Sequence, residues 1–414
     1  MTACRLLTDP HLRRALTLWA CLAVAVCVKT AWLGNQHSVY PQVAASSHHW
    51  WCDKSLYADY RQTEHIDGYR YSPTFAVAFT PLAYLPGRLA MMIWMVASIA
   101  LLVWALHVLV RDVLPGNWPP QRESVFSVLT LVGSAVGIWS GQSNALVAAL
   151  LLLAMAKIVR QRWWATSILL AVPVFIKIWP LAFVLLLLVF WPRQLTWRLA
   201  VVGTLLALAP FLTRPPSTVV WQYQEWYAAV TGPFQDRWGG YRDAWTIWEQ
   251  LSSVNHHAYM AIQLAGGLCV VAWCCWQYRR VTLSREKLGR CCCGDSGSAN
   301  ESPNRLLILI FSIWVSWQLF LGPGTEQLTY GIIAPAASWA VIVSFIERRA
   351  RWLTLTAWAM LALLPSGDVE RAVLQISTAG VILPPLGVVL FASWLIWHER
   401  GPLRQSQESP CAEM

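Results

Sequence analysis

Four short polar stretches interrupt otherwise apolar sequence, and their residue types are those of acid–base and phosphate chemistry. The first is HIDGYRYSP, His65 to Pro73. Its Asp67 can take a proton from a hydroxyl, and its Arg70 can hold a phosphate through a planar fork of donors, with Tyr71 alongside. The second is WSGQSNAL, Trp139 to Leu146, in which Gly141 allows a tight turn while Gln142, Ser143 and Asn144 supply uncharged hydrogen bonding. The third is FIKIWP, Phe175 to Pro180, whose Lys177 can neutralise a lipid phosphate. The fourth is LGPGTEQLTYGIIAPA, Leu321 to Ala336, which sets Glu326 in a Gly-Pro-Gly turn with apolar sequence on both sides.

Each stretch also has an ordinary explanation. These are a surface Asp–Arg pair, capping of the next helix by Ser143 or Asn144, a snorkelling lysine, and capping by Thr325 and Glu326. What favours function is cost, because a charge held close to hydrocarbon is expensive. A fifth stretch, GPFQDRWGGYRDAWTIWEQL, Gly232 to Leu251, mixes Arg237, Arg242 and Asp243 with aromatics. That pattern suits a sugar-contact surface and an amphipathic helix lying on a membrane equally well.

The elements that position these residues are membrane helices. The 414 residues are 57% hydrophobic and 13% charged, against roughly 25% charged for a soluble domain. Segments able to span, or nearly span, fall at 15–34, 88–110, 124–140, 143–159, 199–213, 259–278, 306–321, 328–346, 352–365 and 372–397. The expected fold is therefore all-α, a single polytopic membrane domain over 1–414 with about 11–12 crossings. Arg13 and Arg14 before an apolar run resemble a signal peptide, but the run is long and lacks a small-residue cleavage site, so it reads as a retained first helix. Tryptophans at the ends of apolar runs, such as Trp118, Trp163 and Trp191, fit an interfacial belt.

Charge sets the orientation. The interval 163–192 is too long for one crossing at 1.5 Å per residue, and it either crosses twice or folds as a re-entrant hairpin. With a cytoplasmic N-terminus, most basic residues then fall in inner loops, among them Arg160, Arg162, Arg193, Arg279, Arg280, Arg348 and Arg349. The outer side holds Lys54, Arg61, Arg70, Lys177, Arg214, Arg237, Arg242 and Arg371, the asymmetry of the positive-inside rule. The same sorting requires that 73–86, broken by Pro73, Pro81 and Pro86, not cross. Residues 35–86 then form a first outer loop with a surface or re-entrant element, and 214–258 form a second. Residues 279–305 form an inner linker and 399–414 an inner tail, with both termini cytoplasmic in a cell inner membrane. The outer loops hold the acids Asp53, Asp59, Glu64, Asp67, Glu225, Asp236, Asp243 and Glu249.

Two classes of partner are unfavoured. The net charge of +10 sits in short clusters between apolar runs, which does not suit nucleic acid. The run CCCGDSGSANES lacks C-x-x-C spacing and reads as a reduced, flexible linker rather than a metal site.

YRYSPTFAVAFTPLAYLP, then GQSNALVAALLLLA followed by a basic turn, then AVPVFIKIWPLAFVLLLL, occur in the order seen in glycosyltransferase family 87. The chain resembles these polytopic mannosyltransferases from about residue 15 to 200, and more loosely beyond. The resemblance implies a C-type glycosyltransferase with an extracytoplasmic active site, a polyprenyl-phosphate-sugar donor, a lipid or glycan acceptor, surrounding membrane lipids, and inversion at the anomeric carbon. No cofactor or nucleotide is implied. Family members place an aspartate just after the first helix as the base; in LGNQHSVYPQVA the matching position is Gln36 or His37. Asp67 then ranks first as base, with Asp53, Asp59 and Glu326 as alternatives and His37 less suited. Arg70 and Lys177 are the expected phosphate ligands, Arg242 a third, and Tyr71, Gln142 and Asn144 further substrate contacts. The rival readings are a transporter or flippase of polyprenyl-linked sugars and a catalytically silent family member.

Overall fold

The computed structural model describes residues 8–34, 38–66, 68–231, 241–291, 301–322, 325–364 and 379–400. Among them the chain forms sixteen α-helices, two short 3-10 turns and an isolated antiparallel bridge between Tyr241 and Glu326. In order these are α1 (Pro10–Leu33), α2 (Tyr40–Trp51), α3 (Pro73–Ala83), α4 (Gly87–Asp112), α5 (Pro120–Trp139), α6 (Asn144–Val159), α7 (Trp163–Ile176) and α8 (Pro180–Phe190). They continue as α9 (Pro192–Leu208), α10 (Pro216–Thr231), α11 (Ala244–Leu251), α12 (His256–Cys291), α13 (Glu301–Leu321), α14 (Ala334–Glu347), α15 (Arg351–Ala362) and α16 (Ala379–Arg400). Proline opens α1, α3, α5, α8, α9 and α10, the position where its missing N–H leaves no intrahelical bond unmade.

Six segments are long and apolar enough to cross a membrane: Pro10–Leu33, Gly87–Asp112, Pro192–Leu212, His256–Leu283, Asn304–Leu321 and Ile382–Arg400. Five apolar helices are shorter, Pro73–Ala83, Asn144–Val159, Trp163–Ile176, Pro180–Phe190 and Ala334–Glu347. The all-α polytopic expectation holds, and of the shorter helices α6 and α14 are the most enclosed. Helix α6 is apolar on every side and buried for most of its length, the behaviour of a helix enclosed by others. Helices α4 and α7 flank it.

Contacts between helix ends sort the bundle into two faces. At one, Arg160 pairs with Asp112 at 2.6 Å, Asn304 donates to the Asp112 carbonyl at 3.1 Å, and Ser124 donates to the His11 carbonyl at 2.9 Å. Arg305–Glu399 at 2.7 Å and His398–Glu347 at 3.0 Å lie at this same end. At the other, Lys29 Nζ donates to the Trp139 carbonyl at 2.8 Å and Trp94 Nε1 to the Gly141 carbonyl at 3.0 Å. The first face carries segments that charge places inside, the second those it places outside.

Two features of the topology decide where the site falls. Helix α3 has 11 residues, a rise of about 16 Å, well short of a crossing; it packs on α2 instead. The interval 163–192 is a hairpin of two half-length helices. Trp164 and Trp197 meet edge to face at 4.9 Å, so α7 and α9 begin at the same face, and α8 brings the chain back from a tip at Lys177. Pro173 and Pro180 bracket that tip and deny it two backbone donors.

Much of 279–305, expected as a linker, is helical. Helix α12 runs on to Cys291 and α13 starts at Glu301, because RRVTLSREKLGR is rich in helix formers that extend the apolar helix. Residues 292–300, most of the cysteine-rich run, lie outside the described residues.

Candidate functional site

The hairpin tip brings one ammonium into a set of buried amides. Lys177 has extended backbone at the C-terminal end of α7, and its Nζ donates to Asn144 Oδ1 at 2.9 Å and Gln142 Oε1 at 3.2 Å. The same nitrogen lies 5.8 Å from the Tyr71 ring centroid. The amides come from the turn between α5 and α6. Gly141 there has φ +67°, a left-handed conformation, and a Cβ on it would meet Ser38 Oγ at 2.8 Å, so glycine is required on both counts.

Gln142 and Asn144 are 5% and 2% exposed, deep enough that each amide group must find a partner. Asn144 Nδ2 donates to the Leu328 carbonyl at 3.0 Å, and Gln142 Nε2 to Glu326 Oε2 at 3.4 Å. The amide orientation of Gln142 follows from chemistry, since an ammonium offers only donors and a carboxylate only acceptors. Gln142 therefore stands between a cation and an anion and bonds to both.

Glu326 is half-buried and held by backbone pairing. It bridges Tyr241, while the Arg242 amide donates to the Thr325 carbonyl at 2.8 Å and Tyr330 OH to the Arg242 carbonyl at 2.6 Å. Asp243, fully enclosed, accepts from Thr246 N at 2.9 Å, Thr246 Oγ1 at 2.7 Å and the Thr325 amide at 3.3 Å. It starts α11 and pins the acidic loop at once. Arg70, exposed in the segment before α3, donates through Nη1 to the Tyr241 hydroxyl. Burial, and then the charge of Glu326, push the Tyr71 phenol upward, so it stays a protonated donor.

All five polar stretches thus meet at one place, and the two capping explanations are not what is found. Ser143 at the start of α6 makes no side-chain capping bond, and neither does Glu326 before the 3-10 turn Gln327–Ile332. Arg242, expected as a third phosphate ligand, sits beside the acidic loop. It is 6% exposed and its Nη1 donates to the Tyr241 carbonyl at 2.9 Å, so it buttresses the strand-like pairing that carries Glu326. Tyr241, which links Arg70 to that pairing, escaped the sequence reading; its only signal was a tyrosine directly before Arg242 and Asp243 in an aromatic run.

Two other expected acids are engaged locally and do not join the cluster. Asp53 pairs with Arg214 at 3.1 Å. Asp59 is bound by Arg61 through its side chain and backbone, which hold its carboxyl at about 2. Asp67 and His37 lie outside the described residues, as does Arg237. Glu64, from the same loop, accepts from His49 at 2.8 Å and pairs with Lys54 at 3.4 Å. Among the described residues, no group of three or more His, Cys, Asp or Glu comes together as metal ligands would.

A family model for glycosyltransferase family 87 matches residues 69–294, more than half of the chain. The chain belongs to glycosyltransferase family 87. It is a multi-pass membrane glycosyltransferase, and the matched region holds Arg70, Tyr71, Gln142, Asn144, Lys177 and Arg242. The match begins two residues after Asp67 and ends before Glu326, and it reaches further toward the C-terminus than the motif resemblance. No curated protein matches the chain in sequence.

Proposed function

We propose that this family 87 glycosyltransferase moves a hexose, mannose by its family resemblance, from a polyprenyl phosphate to a hydroxyl of a lipid or glycan. The reaction takes place at the face where the five stretches converge, the extracytoplasmic face by the charge sorting. The observation that carries this reading is the relay Lys177–Gln142–Glu326, a cation and an anion held apart by one amide.

The acceptor oxygen attacks the anomeric carbon, its proton passes to a carboxylate, and the carbon–oxygen bond to phosphate breaks with its electron pair leaving on the phosphate. The leaving group is already a stable anion and needs neutralisation more than a proton, which Lys177 and Arg70 supply. Glu326 is half-buried with one oxygen engaged by Gln142, whereas Asp243 spends its carboxylate on Thr246 and Thr325, which supports Glu326 over Asp243 as the base in this proposal. In-line attack inverts the anomeric configuration.

The test is incubation of the purified protein with polyprenyl-phosphate-mannose and extracted lipids, with Glu326→Gln and Asp67→Asn compared. Loss of product with retained donor binding in Glu326→Gln supports the assignment. Loss only in Asp67→Asn moves the base to the first outer loop, and no product from the unaltered protein with any lipid rejects the transferase reading.

A further inference from the structure

The basic face of the bundle is not uniformly charged. On one side its cations are answered by acids: Arg305 pairs with buried Glu399 and His398 with Glu347 and Glu399. On the other side, where α7 and α9 begin, Arg162, Arg193 and Arg198 stand within a segment, residues 124–224, that contains no Asp or Glu. The nearby Asp112 is taken by Arg160.

Here the Arg198 guanidinium lies 4.3 Å from the Trp197 ring centroid and 5.8 Å from that of Trp164. The two indoles remain 48% and 47% exposed, at the ends of two helices that face outward along Ile168, Val201 and Leu205. Stacking on indole leaves the in-plane donors of a guanidinium available, and Arg198 spends Nη1 on the Gln194 carbonyl at 2.6 Å. Arg162 and Arg193 are exposed beside it. Cation, aromatic and apolar surface succeed one another in the order in which a lipid presents phosphate, glycerol and acyl chains.

We infer that this corner is a binding site for an anionic phospholipid, with the headgroup phosphate on Arg198, Arg193 and Arg162 and the acyl chains along α7 and α9. A zwitterionic headgroup would bring its own cation against the arginines. Free phosphate would lack the contact with Trp164, Trp197 and the apolar rows.

Native mass spectrometry of the purified full-length protein with phosphatidylglycerol or phosphatidylcholine measures this. Phosphatidylglycerol is expected to bind on the order of tenfold tighter, and Arg193→Gln with Arg198→Gln removes that preference. Arg348→Gln with Arg349→Gln, on the same face but away from this corner, leaves it intact. Trp197→Leu keeps every charge and weakens the adduct several-fold, so it serves if the double arginine variant does not fold. Equal binding of the two lipids, equal losses in the two double variants, or displacement by excess inorganic phosphate overturns the inference.

Discussion

Lys177 and Asn144 hold each other at 2.9 Å across thirty-three residues of chain. A lysine whose purpose is to reach water has no use for an amide oxygen 2% exposed. The contact instead orients the rest of Asn144 toward the Leu328 carbonyl, so the hairpin tip, the α5–α6 turn and the segment after Glu326 are fixed as a unit.

Replacing the ammonium tests that unit. Lys177→Met is expected to lower the transfer rate by about a hundredfold, with Lys177→Arg restoring part of it. Turnover with polyprenyl-phosphate-mannose is the measurement; a rate within threefold of the unaltered protein would remove Lys177 from the leaving-group site.

Gln142 keeps two opposite charges from collapsing into a direct pair. In Gln142→Leu, Lys177 and Glu326 lose the amide between them, and kcat should fall by on the order of tenfold or more while KM changes less. A change confined to KM would make Gln142 a donor contact alone.

The local pairs of Asp53 and Asp59 predict that both are dispensable. Asp53→Asn and Asp59→Asn should each leave turnover within about twofold, as expected for exposed ion pairs. A tenfold loss in either would return it to the list of bases.

Glu64 gives the segment between α2 and α3 a pH dependence. Desolvation acts to raise its carboxyl, but hydrogen bonding and charge from His49, then Lys54, outweigh this and hold it below its ordinary value of 4.5. A depressed carboxyl stabilises above the unfolded value and loses that contribution as pH falls through the folded one. Hydrogen exchange in residues 52–66, corrected for intrinsic rate, should therefore rise at about pH 3 relative to about pH 6. Glu64→Gln should reduce the difference, leaving the part that comes from Asp59 and Arg61, and an unchanged difference in that variant would refute the assignment.

Gly141→Ala should cost about 1–2 kcal/mol in a thermal melt and reduce turnover beyond that loss, since the strained turn displaces Gln142. Equal activity per folded molecule would show that the turn geometry is incidental.

Much of this was legible beforehand because charges inside apolar sequence are conspicuous. Lys177 and Glu326 stand out by cost alone, the prolines at 73, 81 and 86 mark an element that does not cross, and the length of 163–192 marks a hairpin or a double crossing. The partners were not legible. Nothing in the sequence joins Asp53 to Arg214 or Glu326 to Tyr241, because side-chain pairs between distant segments carry no periodic signal. The charge of Arg242 is visible in the sequence, whereas its burial is not.

The shortness of α7 has one more implication. Fourteen residues climb about 21 Å, against a hydrocarbon layer of roughly 30 Å, so a helix of this length rooted at one membrane surface would leave the lysine at its summit below the headgroups of the other. Under the proposed function, a sugar arriving on an isoprenoid anchor would have to be submerged to reach it, with the amides around Lys177 standing in for the water left behind. Thinning the bilayer should quicken the enzyme, and thickening it should slow it.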